Sequence, residues 1–404
     1  DDSVARVVLG RPMLLRRARG YAPLPVTLAE APPPAIAVGA HLKNTVAVSV
    51  GRDVFLGQHI GDLETPEAAD AFDRAVADLS RLYGVGAEVV CCDMHPDYVS
   101  TARARGMGLR VRAVQHHLAH VFACAAENEV GPPYLGVAWD GTGYGTDGTV
   151  WGGEFFLVRG EGEERVAGLA PFRLPGGEVA VREPRRSALG ALFACYGEAA
   201  FGMREFAPVR EFSVDEIGVV REMLRRGINA PVTSSAGRLF DAVGSLCGLR
   251  QVSRFEGQAA MVLEFAAAGA GGTPGYPVVL RAGTGGAGTH QELDWGPMVE
   301  AIVADIRAGR PLEQVAAAFH AGLCDGIVSV ARAAGVSRVL LTGGCFQNRV
   351  LLEGAVWGLR EAGFVPAWHQ RVPPNDGGIA LGQVAALLRS ESVSRRDAGA
   401  RGMG

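Results

Sequence analysis

YLGVAWDGTGYGTDG, residues 134–148, sets an apolar run against a series of glycines and hydroxyl side chains, with Asp140 at the join. The apolar part reads as a buried strand. Gly141 and Gly143 permit positive φ and let the backbone approach a ligand closely. An aspartate leaving a buried strand beside such a loop suits Mg²⁺ or another hard cation. An Asp-Gly hairpin turn is the plainer reading, but the length of the glycine series favours a ligand loop. LLTGGCFQN, residues 340–348, repeats the arrangement late in the chain: a buried strand delivers Gly343 and Gly344 into a turn, and Asn348 opens a helix. Two such loops in the two halves predict one nucleotide clamped between two lobes.

The surrounding pattern agrees with a duplicated two-lobed α/β fold. From Ala35, AIAVGAHL, TVAVSVG and DVFLGQHI are short apolar runs separated by turn signals, as in an antiparallel meander. Helical and strand segments then alternate, and a weaker version of the same succession follows in the second half. The second half is mostly helical, with a glycine-rich surface insertion expected around 268–289.

Three further stretches carry candidate chemistry. GAHLKNT, residues 39–45, leaves one strand and enters another, and it holds Lys43, the sole lysine of the chain. Turn amides there can face phosphate oxygens, with Lys43 supplying charge and Asn44 a donor; an ordinary hairpin accounts for the turn equally well. VQHHLAHV, residues 114–121, puts His116 and His120 four apart on one helical face, within reach of one cation. Asp376 in PPNDGG is a third candidate ligand and Asp140 a fourth; two hydrogen-bonded core imidazoles are the alternative. A zinc protease needs HExxH, and the position after His116 is His117. In GRLFDAVGSLCGL, residues 237–249, Gly237 and Asp241 lie one turn apart, so the carboxylate is placed to accept ribose hydroxyls or to pair with Arg238 or Arg254. Glu256 reads as a structural acid.

Composition bounds the rest. Of 404 residues, 48% are hydrophobic and 20% charged, enough to bury a large interior. The net charge of −4 offers no electrostatic footprint for nucleic acid. Seven cysteines without a CxxC spacing read as reduced, buried thiols of a cytoplasmic protein. No apolar run reads as a membrane span, so no membrane association is expected. The opening DDSVARVV looks like a strand without its partners, and the chain is expected to be the C-terminal part of a longer polypeptide; a basic, solvated linker is the alternative for this segment.

Together, DDSVARVV, RRARGYAP, AVGAHLKNT, CDMHPDYVSTARA, VQHHLAHV, AWDGTGYGTDGTVWGGEF, GRLFDAVGSL, FEGQAA, LTGGCFQN and PPNDGGIALGQ resemble the C-terminal portion of the HypF hydrogenase-maturation carbamoyltransferases. The resemblance covers nearly all of residues 1–390 and departs at EPRR, 183–186, where the family commonly has EPWR. It implies that residues 1–30 are the tail of a YrdC-like domain and a linker. Residues 31–155 would form the first lobe and 156–390 the second lobe, with helical insertions, of an actin/sugar-kinase-like (ASKHA) nucleotide-binding fold, and 391–404 a disordered tail.

The implied reaction is transfer of a carbamoyl group from carbamoyl-adenylate, made from carbamoyl phosphate and ATP, to the C-terminal cysteine of the partner HypE, as the source of the cyanide ligands of a [NiFe] centre. By position, His116, His120 and Asp376 match metal ligands, with zinc or iron as the divalent metal and Mg²⁺ a candidate alongside the nucleotide. Asp140, Gly141 and Gly143 match the phosphate loop; Gly237, Asp241, Gly344 and Asn348 match nucleotide contacts. Lys43, His116 and His120 are the expected catalytic groups. Lacking most of the YrdC-like domain, the chain is expected to use an adenylate and not to make one. Carbamoyl transfer to a small-molecule hydroxyl, a kinase or ATPase of the same fold, and a nucleotide-gated scaffold are the rival readings.

Overall fold

In the computed structural model, which describes residues 2–160, 162–270, 272–283 and 291–389, the apolar runs assemble into three sheets. The first is a hairpin of β1 (Val4–Val8) and β2 (Arg11–Arg16). The second contains β3 (Pro25–Thr27), β4 (Ala35–Ala37), β5 (Ala47–Val50), β6 (Asp53–Leu56), β7 (Val89–Asp93) and β8 (Arg110–Val114) in the order β3-β6-β5-β4-β7-β8. The third is built on β9 (Tyr134–Tyr144), β10 (Val150–Arg159) and β11 (Gly162–Leu169), with β12 (Phe172–Arg173), β13 (Val232–Thr233), β14 (Val279–Ala282), β15 (Gln291–Asp294), β16 (Arg338–Thr342) and β17 (Val365–Trp368) added around them.

Five strands of the second sheet and five of the third share one topology. In the second, β4 pairs antiparallel with β5 and β5 with β6, while β7 lies parallel to β4 and β8 parallel to β7. In the third, β9 pairs antiparallel with β10 and β10 with β11, while β16 lies parallel to β9 and β17 parallel to β16. The strands that continue each meander in parallel arrive after helices, as parallel pairing requires. All of β7 and the first seven residues of β9 are buried, as expected of strands covered on both faces. This is the duplicated two-lobed ASKHA architecture.

The join between the repeats is the helix His116–Glu127, which packs on β9, while the helix Ile379–Ala385 packs on that helix and on β4–β7. Gly382 makes this crossing feasible: a Cβ there would lie 1.7 Å from the carbonyl oxygen of Ala119. The two helices therefore approach with backbone against backbone, one residue from His120. Strand β10 runs across the 155/156 boundary expected between lobes; the change of sheet falls at the helix His116–Glu127.

The N-terminal segment is integrated into the fold and is no solvated linker. Arg6 Nη2 pairs with Glu264 at 2.7 Å, the Leu14 amide donates to the Gln370 carbonyl at 3.0 Å, and buried Arg17 donates to the Arg371 carbonyl at 2.8 Å. Strand β3, inside the stretch expected to precede the first lobe, already pairs with β6. Part of the glycine-rich insertion forms β14, paired with β15; the expected tail 391–404 lies outside the described residues. Among the described residues, one helix, Leu312–Ala334, is long and apolar enough to cross a membrane; it is largely buried and packs against the helices Gln258–Ala267 and Arg349–Glu361.

Candidate metal centre and ligand site

Each repeat contributes to one cluster at the end of its sheet. Gln115 caps the helix His116–Glu127 by accepting from the Leu118 amide at 3.0 Å, so His116 and His120 project from its first turns. Asp140 lies within β9 where the register with β10 slips between the pairs Trp151–Gly143 and Gly153–Trp139. Such a bulge re-aims the side chains it contains. Asp376 opens a short 3-10 turn, where the Asn375 side chain accepts from the Gly377 amide at 3.0 Å.

Nε2 of His116 lies 3.4 Å and Nε2 of His120 3.2 Å from Asp140 Oδ2. The same atoms lie 3.6 and 3.7 Å from Asp376 Oδ1. All four residues are buried, and one ligating atom from each lies within 4.8 Å of the others. Tetrahedral ligands on zinc-type bonds are separated by roughly 3.4 Å, so this donor set fits a single divalent cation. Two imidazoles with two carboxylates accept zinc or iron alike.

The four groups favour one another's charged forms. Burial alone would neutralise His116, yet the carboxylates of Asp376 and Asp93 keep its basicity well above that of an ordinary histidine. His120 is raised likewise against burial, by hydrogen bonds to Asp140 and Asp376. Burial would also raise Asp140, but the two histidines hold it well below the usual carboxylate range, and Asp376 is lowered in the same way. A cation can replace the imidazolium protons as the positive partner of these buried carboxylates.

Behind His116 stands Asp93, which sequence reasoning passed over. Its Oδ2 lies 2.8 Å from His116 Nδ1, leaving Nε2 to face the cluster. The signal for Asp93 was the one that marked Asp140: an aspartate at the end of a fully buried strand. His117 turns away from the cluster, with Nδ1 3.2 Å from the Gln115 amide nitrogen, and burial pushes it well below an ordinary histidine.

The expected nucleotide residues divide into two groups. Lys43, with φ 46° in the left-handed region, places Nζ against Glu256 from the other repeat. Burial would lower its basicity, but Asp376 and Glu256 raise it above the ordinary lysine value. Gly237 packs on Gly141: a Cβ at 237 would lie 2.8 Å from the Gly141 Cα. A Cβ at Gly143 would lie 2.4 Å from the His117 ring, so this glycine seats the histidine helix. Gly343, at φ 97°, passes against the Trp139 carbonyl, and the Gly344 amide donates to Asp140 Oδ1 at 3.1 Å. All of these lie around Asp140.

The second group is committed to contacts within the protein. Asn44 is buried and donates to the Val38 carbonyl at 2.8 Å and to that of Ala40, so its donors hold the β4–β5 turn. Asn348 caps the helix Arg349–Glu361 by accepting from the Leu351 amide at 3.0 Å, and its Nδ2 lies 2.9 Å from His320. Asp241 forms a buried ion pair with Arg238 at 2.9 Å; burial pushes its carboxyl up to about 6, with Arg238 opposing. Glu256, read as a structural acid, is the partner of Lys43.

Two family models match the chain: the HypF Kae1-like domain over residues 30–127, and the carbamoyltransferase, Kae1-like domain, second subdomain, over 136–383. Their division coincides with the change of sheet. Carbamoyltransferase HypF of Synechocystis sp. is 39% identical, over 96% of this chain and 52% of its own length. A carbamoyltransferase HypF homolog of Cupriavidus necator is 35% identical, over 89% of this chain and 93% of its own. The crystal structure of full-length HypF in a phosphate- and nucleotide-bound form superposes with a TM-score of 0.90 at 36% identity, over 97% of this chain and 61% of that one. The chain spans about half the length of the first four curated relatives it matches.

Proposed function

The chain belongs to the HypF carbamoyltransferase family, and from that premise we propose that it transfers a carbamoyl group from carbamoyl-adenylate to the C-terminal cysteine of HypE, in maturation of a [NiFe] hydrogenase. The observation that carries this reading is the convergence of His116, His120, Asp140 and Asp376 beside Lys43. In the step proposed, the acceptor thiolate forms a bond to the carbamoyl carbon. The bond from that carbon to the adenylate phosphate oxygen breaks, and AMP leaves with the electron pair.

A zinc or iron ion held by these four side chains would act as a Lewis acid and template for the bound adenylate. Lys43 carries a fixed positive charge toward the same space and would stabilise charge developing on the departing AMP. Its pairing with Glu256 keeps that charge neutralised until a phosphate competes for it. Gly141 is the candidate phosphate contact, with Gly237 packed on it in support; Asp241 is the candidate ribose contact once released from Arg238, and Mg²⁺ is a candidate companion of the nucleotide. The setting proposed is the cytoplasm.

The test is to supply the chain with carbamoyl-adenylate and HypE and to measure AMP release and carbamoylation of the acceptor cysteine. Both should occur, and both should be lost in His116→Ala. A kinase or ATPase of this fold would release ADP from ATP and leave the histidine–aspartate cluster without a task. Carbamoylation of a small hydroxyl compound in place of HypE would redirect the acceptor assignment only.

A further inference from the structure

Behind the cluster lies a second buried network that the reaction above does not use. Glu127 is on the same helix as His116 and His120, two turns beyond His120. Its Oε1 accepts from the amides of Gln370 at 2.9 Å, Val372 at 3.3 Å and Arg371, and its Oε2 lies 2.8 Å from His369 Nδ1. His369 Nε2 lies 2.8 Å from the Thr342 hydroxyl, which is itself 3.1 Å from the His120 carbonyl oxygen. The loop that starts at His369 carries Asp376. One carboxylate on the histidine helix thus holds the segment that delivers the aspartate, and the circuit closes on the backbone of His120.

A hydroxyl, an imidazole and a carboxylate in this order also occur in nucleophilic relays. Here Thr342 is 0% and His369 1% exposed, so no substrate reaches the hydroxyl. The network has another consequence. His116 and His120 are about 260 positions from Asp376 in the chain, and a cation site tolerates only a few tenths of an ångström of error in ligand spacing. We infer that Glu127 and His369 are positioning residues that clamp the Asp376 loop to the histidine helix and so set the spacing of the metal ligands. The inference rests on the metal reading of the cluster.

Cobalt(II) titration of the metal-free chain tests it, with visible absorption reporting ligand geometry and circular dichroism reporting the fold. The wild-type chain should bind one Co²⁺ with a defined ligand-field spectrum. His369→Phe, folded, should lose about tenfold or more in affinity, as for other residues that support ligands, and show an altered spectrum. Thr342→Val, which keeps shape and removes only the hydroxyl, should shift both in the same direction by less, and it decides the matter if His369→Phe does not fold. Glu127→Gln, which keeps an acceptor for the loop amides, should recover part of what Glu127→Ala loses. Unchanged affinity and spectrum in folded His369→Phe, or in Thr342→Val where it stands in, overturn this inference alone. Absence of Co²⁺ binding by the wild-type chain overturns the metal reading, and this inference with it.

Discussion

Asp93 Oδ2 lies 2.8 Å from Nδ1 of His116, and the opposite nitrogen of the same ring faces Asp140 and Asp376. One strand end of the first repeat thus orients a candidate ligand that must meet two aspartates from the second. Asp93→Asn keeps the shape and removes the charge, and should weaken divalent-metal binding about tenfold without altering the circular dichroism of the fold. Metal titration checks it; unchanged affinity would mean that Asp93 serves the strand end alone.

Gly382→Ala sets a methyl group against the Ala119 carbonyl, where the Cβ would be 1.7 Å away and the obstacle is backbone. The helices must separate, at a cost of about 3 kcal/mol. Because this contact adjoins His120 and the displaced helix follows Asp376, metal affinity should fall together with the melting temperature. Calorimetry with and without Zn²⁺ separates the two effects.

His320 supplies a pH dependence remote from the cluster. Burial pushes its pKa down from 6.5 to about 4, with the Ala316 carbonyl opposing. The folded chain holds the ring neutral while the unfolded chain protonates it first. Its contribution to stability is therefore complete above pH 6.5 and is lost as pH falls toward 4, up to about 3 kcal/mol. Urea unfolding of wild type and His320→Gln across that window should show a shallower acid-side slope in the variant; parallel slopes would place the titration elsewhere.

Lys43→Met removes the fixed cation beside the cluster and keeps most of the side chain's length. Carbamoyl transfer should fall about 100-fold, while metal affinity changes little because Lys43 is no ligand. Steady-state AMP release beside a metal titration checks the separation. An equal loss in both would make Lys43 part of the metal environment.

Much of this arrangement was legible in the residues. Apolar runs interrupted by Gly and Asn marked β4–β6, β9 and β16, and the i, i+4 spacing of His116 and His120 brought two ligands to one helical face. What stayed hidden depends on contacts distant in sequence. Glu256 looked structural because its local neighbours offer several partners, whereas its actual partner, Lys43, is 213 residues away. Asn44 looked like a phosphate donor because a turn asparagine usually is exposed, yet this one folds inward onto its own turn. Asp93 lay at the end of VVCCD, where only the parallel pairing of β7 with β4 and β8 reveals which sheet edge it shares with His116. The lobe boundary was misplaced because β9 and β10 look like a continuation of the first meander, and only their pairing with β16 and β11 assigns them to the second.

The most direct measurement is the stoichiometry and affinity of Zn²⁺ on the metal-stripped chain, for wild type and for His116→Ala, His120→Ala and Asp376→Ala. The four-ligand centre predicts one tightly held ion per wild-type chain and a loss of at least about 100-fold in each variant, since each removes a direct ligand. A wild-type chain that holds no ion, or variants that bind as wild type does, would contradict it.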